Sequence, residues 1–231
     1  MKDKVLILDF DGTITQKGQN VWRMLWEEIG YSTDKNSLYA KLYIEHIIQK
    51  KITRKEWFDK TCDAFKQKNM SIDHLNKVNK MQKIKPFFKE TIKKLYDNNF
   101  YIIILSGSLT NSIRDVLGQC NKYIPMVVSN RAIFNKNGKL TKIIPSAFDY
   151  AGKAEFIELI KKRFNLKSQN IYFVGNDYND EWVKSTGCKT FCISPENTQS
   201  TNKSIWSHNI SSFSELANSI LNNSDQSQII K

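Results

Sequence analysis

Two carboxylates, Asp9 and Asp11, stand two residues apart where the apolar run 5–8 ends and Gly12-Thr13 begins a turn. On an extended backbone, residues i and i+2 face the same side. This spacing therefore expects both acids to sit together at a strand end. Carboxylates that close repel unless a cation or a shared proton relieves them. Where that holds, they can divide the work. Asp9 can attack phosphorus as a nucleophile and split one hard step into two. Asp11, held in a different protonation state, can give and then recover a proton. The plainer alternative for a bare Asp-x-Asp is a surface strand end with two solvated acids.

Three later segments offer matching chemistry. The apolar run 100–105 leads into Ser106-Gly107-Ser108 and then a helical pattern. The Ser106 hydroxyl and the amides around Gly107 can hold a phosphate at a helix N-terminus, although any helix cap can look this way. Lys153, in Ala-Gly-Lys-Ala-Glu at a helix start, offers an ammonium to an anionic centre; a surface lysine is the alternative. The apolar run 171–174 ends in Gly175-Asn176-Asp177-Tyr178-Asn179-Asp180. Such a loop suits Mg2+, which takes hard oxygen ligands and keeps several waters. An ordinary Asx-rich turn is the alternative.

The elements that must position these groups are legible in outline. Val21, Trp22, Leu25, Trp26 and Ile29 recur at helical spacing, and Gly30 is placed to end that helix. Leu38, Leu42, Ile44, Ile47 and Ile48 mark a second helix. Thr53 with Glu56 forms a possible capping box for a third, carrying Trp57, Phe58, Cys62 and Phe65, and Ser71 can cap a fourth. Strand patterns then alternate with helices: a helix from Pro86 to about 98, strand 100–105, helix 110–118, a short strand 126–129, helix 154–164 and strand 171–174. A helix at 180–185, strand 190–193 and a last helix 212–221 follow. Asn137-Gly138 between 132–134 and 140–144 signals a hairpin. The class is α/β with a mostly parallel sheet, and in such sheets ligands bind beyond the carboxyl ends of strands. The acidic and Ser-Gly signals all fall at those ends. The expected division is a core of 1–16 and 84–222, a smaller all-helical cap of 17–83 inserted after the first strand, and a polar tail of 223–231.

Taken in order, Asp9-Phe10-Asp11-Gly12-Thr13, the strand-end Ser106, Lys153 and the acidic loop at 175–180 resemble the motifs of the haloacid dehalogenase-like phosphohydrolases. The helical insert and the Asn-Gly hairpin resemble the phosphoserine-phosphatase-like branch. The resemblance implies a Rossmann-like core, Asp9 as nucleophile and Asp11 as general acid/base. It implies Ser106, Gly107 and Lys153 on the phosphate, with Asp9, Asp11, Asn176, Asp177 and Asp180 as the metal set, Asp11 through its backbone carbonyl. The loop departs from the common Gly-Asp-Gly-x-Asn-Asp, since Asn176 stands for the first Asp and Asp177 for the second Gly. Which of them meets the metal is left open by the sequence, and Asp180 can ligate or orient a metal-bound water. The implied activity is an Mg2+-dependent phosphatase acting on a small phosphorylated metabolite through an aspartyl-phosphate. A phosphotransferase or mutase of the same superfamily is the nearest rival. Arg23, Glu27, Glu28 and Arg54 are available in the insert for a substrate, without a place over the site that the sequence can assign. Phosphoserine, a sugar phosphate, a nucleotide and a methylthio-pentenyl phosphate stay open.

Composition narrows the setting. The 231 residues are 40% apolar, with 13 Phe, 9 Tyr and 5 Trp, enough for one good core and a smaller insert. No apolar run approaches a membrane span. The run 5–8 is too short for a signal-peptide core, so a cytoplasmic protein is expected. Cys62, Cys120, Cys188 and Cys192 form no Cys-x-x-Cys pair, which argues against zinc and for reduced thiols. His46, His74 and His208 lie far apart and read as surface or packing residues. The net charge of +12 raises a nucleic-acid partner as the rival from another class. The lysines are spread over helical faces without a basic block, which favours a solvated surface. Oligomeric state is not legible.

Overall fold

The apolar runs become strands because nearly every residue in them is buried by a neighbour on each face. The computed structural model describes residues 2–193 and 205–225. Strands β1 (Lys4–Leu8), β2 (Phe100–Leu109), β3 (Met126–Phe134), β4 (Leu140–Ile144), β5 (Ile171–Gly175), β6 (Lys189–Ile193) and β7 (His208–Ile210) make one sheet. Its order is β4-β3-β2-β1-β5-β6-β7. All neighbours are parallel except β3 and β4, the hairpin expected at Asn137-Gly138. Gly138 sits at φ +72°, the left-handed conformation such a turn needs.

The order reverses direction at β1, which lies between β2 and β5. Leu8 pairs with Ile104 on one side and Val174 on the other. A crevice opens at such a switch point, beyond the carboxyl ends of the strands. Asp9, Ser106 and Asn176 therefore arrive at one place from three adjacent strands.

Alternation along the strands divides the core. Val5, Ile7, Ile103, Leu105, Ile171 and Phe173 pack on one face against Phe156, Ile157 and Ile160 of α7 (Ala151–Phe164). Leu6, Leu8, Ile102, Ile104, Tyr172 and Val174 pack on the other. That second cluster continues into the segment between β1 and β2. There α1 (Val21–Glu28), α2 (Leu38–Tyr43), α3 (Arg54–Gln67) and α4 (Ile72–Met81) add Trp26, Phe58, Phe65, Leu75 and Val78. The remaining helices are α5 (Phe88–Asp97), α6 (Thr110–Leu117) and α8 (Phe213–Asp225).

Local signals explain the helix starts. Asn20 caps α1 by accepting from Arg23 N at 3.0 Å. Thr53 and Glu56 make the reciprocal box, Thr53 N donating to Glu56 Oε2 at 2.7 Å and Glu56 N to Thr53 Oγ1 at 3.2 Å. The segment is also tied to the sheet. Gln16 N donates to Lys83 O and Lys85 N to Ile14 O, each at 2.9 Å, so its entry and exit strands pair. Ile72 N donates to Gly138 O at 2.8 Å, fastening the start of α4 to the hairpin.

Several expectations need correction. The strand expected at 100–105 runs on through Ser106-Gly107-Ser108 to Leu109, with a register shift against β3 between Leu105 and Leu109, so these residues lie in β2 and not at the mouth of a helix; α6 starts at Thr110, as expected. Residues 126–129 and 132–134 are one strand, because β3 pairs with β2 at its start and with β4 at its end. The acidic loop leads into a 3-10 helix, Tyr178–Thr186. The strand β7, three residues with only Ile210 buried, had no apolar run to announce it. The last helix runs to Asp225, three residues into the expected tail; 226–231 lie outside the described residues.

Candidate active site

Asp9 follows β1 directly and is 4% exposed. Its backbone N–H donates to Val174 O at 2.9 Å, fixing the strand tip against β5. The chain then turns. Thr13, Ile14 and Thr15 N–H groups all donate to Phe10 O, and Gly12, at φ +73°, supplies the left-handed step. Thr13 Oγ1 donates to Asn176 Oδ1 at 2.8 Å, tying this turn to the acidic loop. Lys85 donates from its ammonium to Gly12 O.

Asp9 and Asp11 both line one cavity of about 380 Å3, as their spacing suggests. The strand has already ended at Leu8, so the turn and not an extended backbone brings them together. Asp11 Oδ1 accepts from Val21 N, at the start of α1, at 3.3 Å. Burial first, and then the charge of Asp9, push the Asp11 carboxyl up to about 8. The shift favours the protonated form of Asp11 in the metal-free protein.

Lys153 comes from the first turn of α7 and is fully buried. Its Nζ lies 2.5 Å from Asp180 Oδ1 and 3.3 Å from Asp9 Oδ1. Burial pulls its pKa down, but the attraction of Asp180 and Asp9 prevails, and the ammonium titrates above its ordinary value. Asp180 is held on both oxygens, since Asn176 N donates to its Oδ2 at 3.3 Å. Gly175 makes this approach possible, because a Cβ there would collide with the Asp180 carboxylate.

Ser106 and Gly107 line the cavity beside the acids. Ser106 is buried, and its Oγ accepts from Ser108 N at 3.2 Å. Gly107 O accepts from Trp22 Nε1 at 2.8 Å and from the Asn130 side chain. A Cβ on Gly107 would strike the Asp149 carboxylate, so this strand segment is crowded on its cavity side.

Among the described residues, no three His, Cys, Asp or Glu side chains stand ready as a metal site. Mg2+ does not need such a set, since it uses one or two carboxylates, carbonyls and water. The donor chemistry fits: Asp9, Asp11 and Asp177 line the cavity, all with oxygen. Asn179, also in the lining, has a buried Oδ1 without a hydrogen-bond partner. Asn176 and Asp180, by contrast, have their side-chain oxygens engaged by Thr13, Lys153 and Asn176 N.

Other residues at the cavity carried no strong sequence signal. Asp149, Tyr150, Trp22, Tyr39, Tyr43, His46, Ile47 and Trp57 line it, as do Arg23 and Arg54. Of the candidates in the insert, Glu27 and Glu28 do not. Glu27 accepts from Arg23 at 3.0 Å and Glu28 lies 3.1 Å from Lys77. His46, read as a packing residue, does stack on Trp57, but it also faces the cavity.

No helix of the described residues is long and apolar enough to cross a membrane. A sequence model described as "Hydrolase: haloacid dehalogenase-like hydrolase" matches residues 4–182. A search of curated proteins returned no match. A phosphoserine phosphatase solved as its phospho-aspartyl intermediate analogue is similar, with a TM-score of 0.68, 19% identity and coverage of 91% of this chain and 94% of that one. A substrate-bound phosphoserine phosphatase gives 0.69 and 19%, with coverage of 91% and 93%. Phosphoserine phosphatase from T. onnurineus gives 0.65 and 17%, covering 94% of both chains. At these identities the likeness is one of fold. With the family match spanning β1 through the acidic loop, the chain belongs to the haloacid dehalogenase-like hydrolases.

Proposed function

We propose that the chain is a phosphatase that hydrolyses a small phosphomonoester through a phosphoryl group carried on Asp9. The observation that carries this reading is the buried Lys153 ammonium, 3.3 Å from Asp9 Oδ1, beside an Asp11 carboxyl that titrates at about 8. The cation faces Asp9 and neutralises an incoming phosphoryl group. The acid keeps the proton that a leaving alkoxide needs.

In the first step an Asp9 oxygen forms a bond to phosphorus. The bond from phosphorus to the ester oxygen breaks, and Asp11 gives that oxygen its proton. In the second, ionised Asp11 takes a proton from a water that attacks phosphorus. The bond to Asp9 breaks, inorganic phosphate leaves, and both aspartates return to their starting states. Ser106 and the backbone at Gly107 orient the phosphoryl oxygens. Asp180 holds Lys153 in place.

Asp9, the Asp11 carbonyl and Asp177 would hold Mg2+, with Asn176 and Asp180 as supports. When bound, the ion supplies positive charge to the phosphoryl oxygens. Four buried, unbridged cysteines suit the cytoplasm as the working compartment. Release of inorganic phosphate from a panel of esters with Mg2+, without any acceptor alcohol, tests the reading. Phosphate appearing only on an added acceptor would favour the phosphotransferase instead.

A further inference from the structure

We infer that the preferred ester carries a planar ring in its alcohol part, stacked among the aromatic side chains that line the cavity with Asp9. This rests on the phosphatase reading and adds the class of leaving group. The helical segment lines the cavity with five rings, Trp22, Tyr39, Tyr43, His46 and Trp57. Trp22 is anchored by its indole N–H on Gly107 O at 2.8 Å, beside the phosphate-binding segment. Trp57 stands edge-on to Trp22 at 6.0 Å and stacks on His46 at 5.6 Å, with planes 16° apart. Trp57, Tyr39 and Tyr43 are only half-buried: Tyr39 and Trp57 pack against the core and still line the cavity, as Tyr43 does.

The backbone there points the same way. After α2 the helix widens into a π-helical turn, Ile44–Ile48. Such turns are frequent at functional sites. Only Leu42 of residues 38–48 is buried, and Ile48 is 66% exposed. Tyr43 precedes the turn and His46 lies within it, and both line the cavity.

Charge gives the ammonium of an amino-acid ligand no partner on the helical side. Residues 17–83 contribute no Asp or Glu to the lining, so an amino-acid ammonium meets no carboxylate on that side. They contribute Arg54 instead. Its Nε is buried with no hydrogen-bond partner, and its Nη2 is 3.5 Å from both Asp149 and Asn130. A guanidinium so weakly held suits an acceptor atom on a ring edge. Aromatic stacking of one base-sized ring is worth about tenfold or more in affinity, and a cavity of about 380 Å3 has room for a phosphate and such a ring.

The test compares kcat/KM, with Mg2+, for pyridoxal 5'-phosphate, uridine 5'-monophosphate and phenyl phosphate against O-phosphoserine and glycerol 3-phosphate. The best ring ester should exceed the best open-chain ester at least tenfold. Trp57→Leu and Tyr43→Ala should each lower that ratio fivefold or more, with far-ultraviolet circular dichroism showing both folded. An open-chain ester that matches the best ring ester, or a ratio unmoved in both folded variants, overturns the inference and leaves the phosphatase reading standing. Calorimetric binding of the same esters to Asp9→Asn is independent of turnover. If no ester is hydrolysed, the phosphatase reading falls, and tenfold tighter binding of ring esters still supports the ligand class while equal binding overturns it.

Discussion

Lys153 and Asp180 form a fully buried ion pair at 2.5 Å, and through it the acidic loop sets the cation that faces Asp9. Breaking one side of a buried pair leaves a charge without compensation, at about 3–5 kcal/mol. Asp9 still faces Lys153, so Asp180→Asn should cost near the lower end, about 3 kcal/mol, in urea unfolding. It should also lower kcat, since Lys153 is then free to swing away from the phosphoryl group. A variant as stable and active as the parent would remove the positioning role.

Asp9→Asn should abolish phosphate release, by at least about a thousandfold, as expected when a nucleophile is lost. The change is nearly isosteric, so the circular dichroism spectrum should not change. Unchanged hydrolysis would exclude Asp9 as the attacking group.

Stability of the metal-free protein should fall as pH rises. Burial, then Asp9, raises the Asp11 carboxyl to about 8; burial, opposed by Lys153 and reinforced by Asp9, raises that of Asp180. Between the unfolded value near 4 and these folded values, the native state binds more protons than the unfolded state, so stability is lost with rising pH. Lys153 stays charged across this window and adds no slope. From pH 5.5 to 8.5 we expect a loss on the order of 1–3 kcal/mol, a drop of several degrees in Tm. Asp11→Asn should flatten the profile, and Mg2+ should raise Tm more at pH 8.5 than at 5.5. A flat metal-free profile would contradict the raised pKa of Asp11.

Asp177→Ala should weaken apparent Mg2+ affinity about 10–100-fold, read from the metal dependence of kcat. Asn176→Ala should act more mildly, because its oxygen is engaged by Thr13 Oγ1 at 2.8 Å. The reverse order would assign the loop ligand to Asn176. Activity indifferent to both EDTA and added Mg2+ would remove the metal altogether.

Gly107→Ala tests the crowding at β2. Its Cβ would meet the Asp149 carboxylate, which also lies 3.5 Å from Arg54. Overpacking of this kind costs about 1–3 kcal/mol. Both Tm and kcat/KM should fall, and a silent substitution would show that Asp149 moves away freely.

Sequence by itself determined the α/β class, the parallel strands and the order of the four motif segments. Apolar runs ending in Asp9, Ser106 and Gly175 state a strand and its functional tip together, and the Asn137-Gly138 turn and the Thr53–Glu56 box are chemistry within a few residues of chain. Tertiary structure decided what depends on distant partners. The sequence leaves Lys153 between an ammonium for an anionic centre and a surface lysine, and only its burial beside Asp9 and Asp180 decides between them. The run of β2 through Ser106-Gly107-Ser108 follows from pairing with β3, which local propensity for a cap does not contain. Arg54, His46 and Trp57 reach the cavity only because the helical segment folds back over the sheet, sharing its core and bonding to the hairpin. Backbone geometry and hydrophobic period are local and can be read along a chain, whereas burial, charge pairing and cavity lining are properties of what the fold brings near.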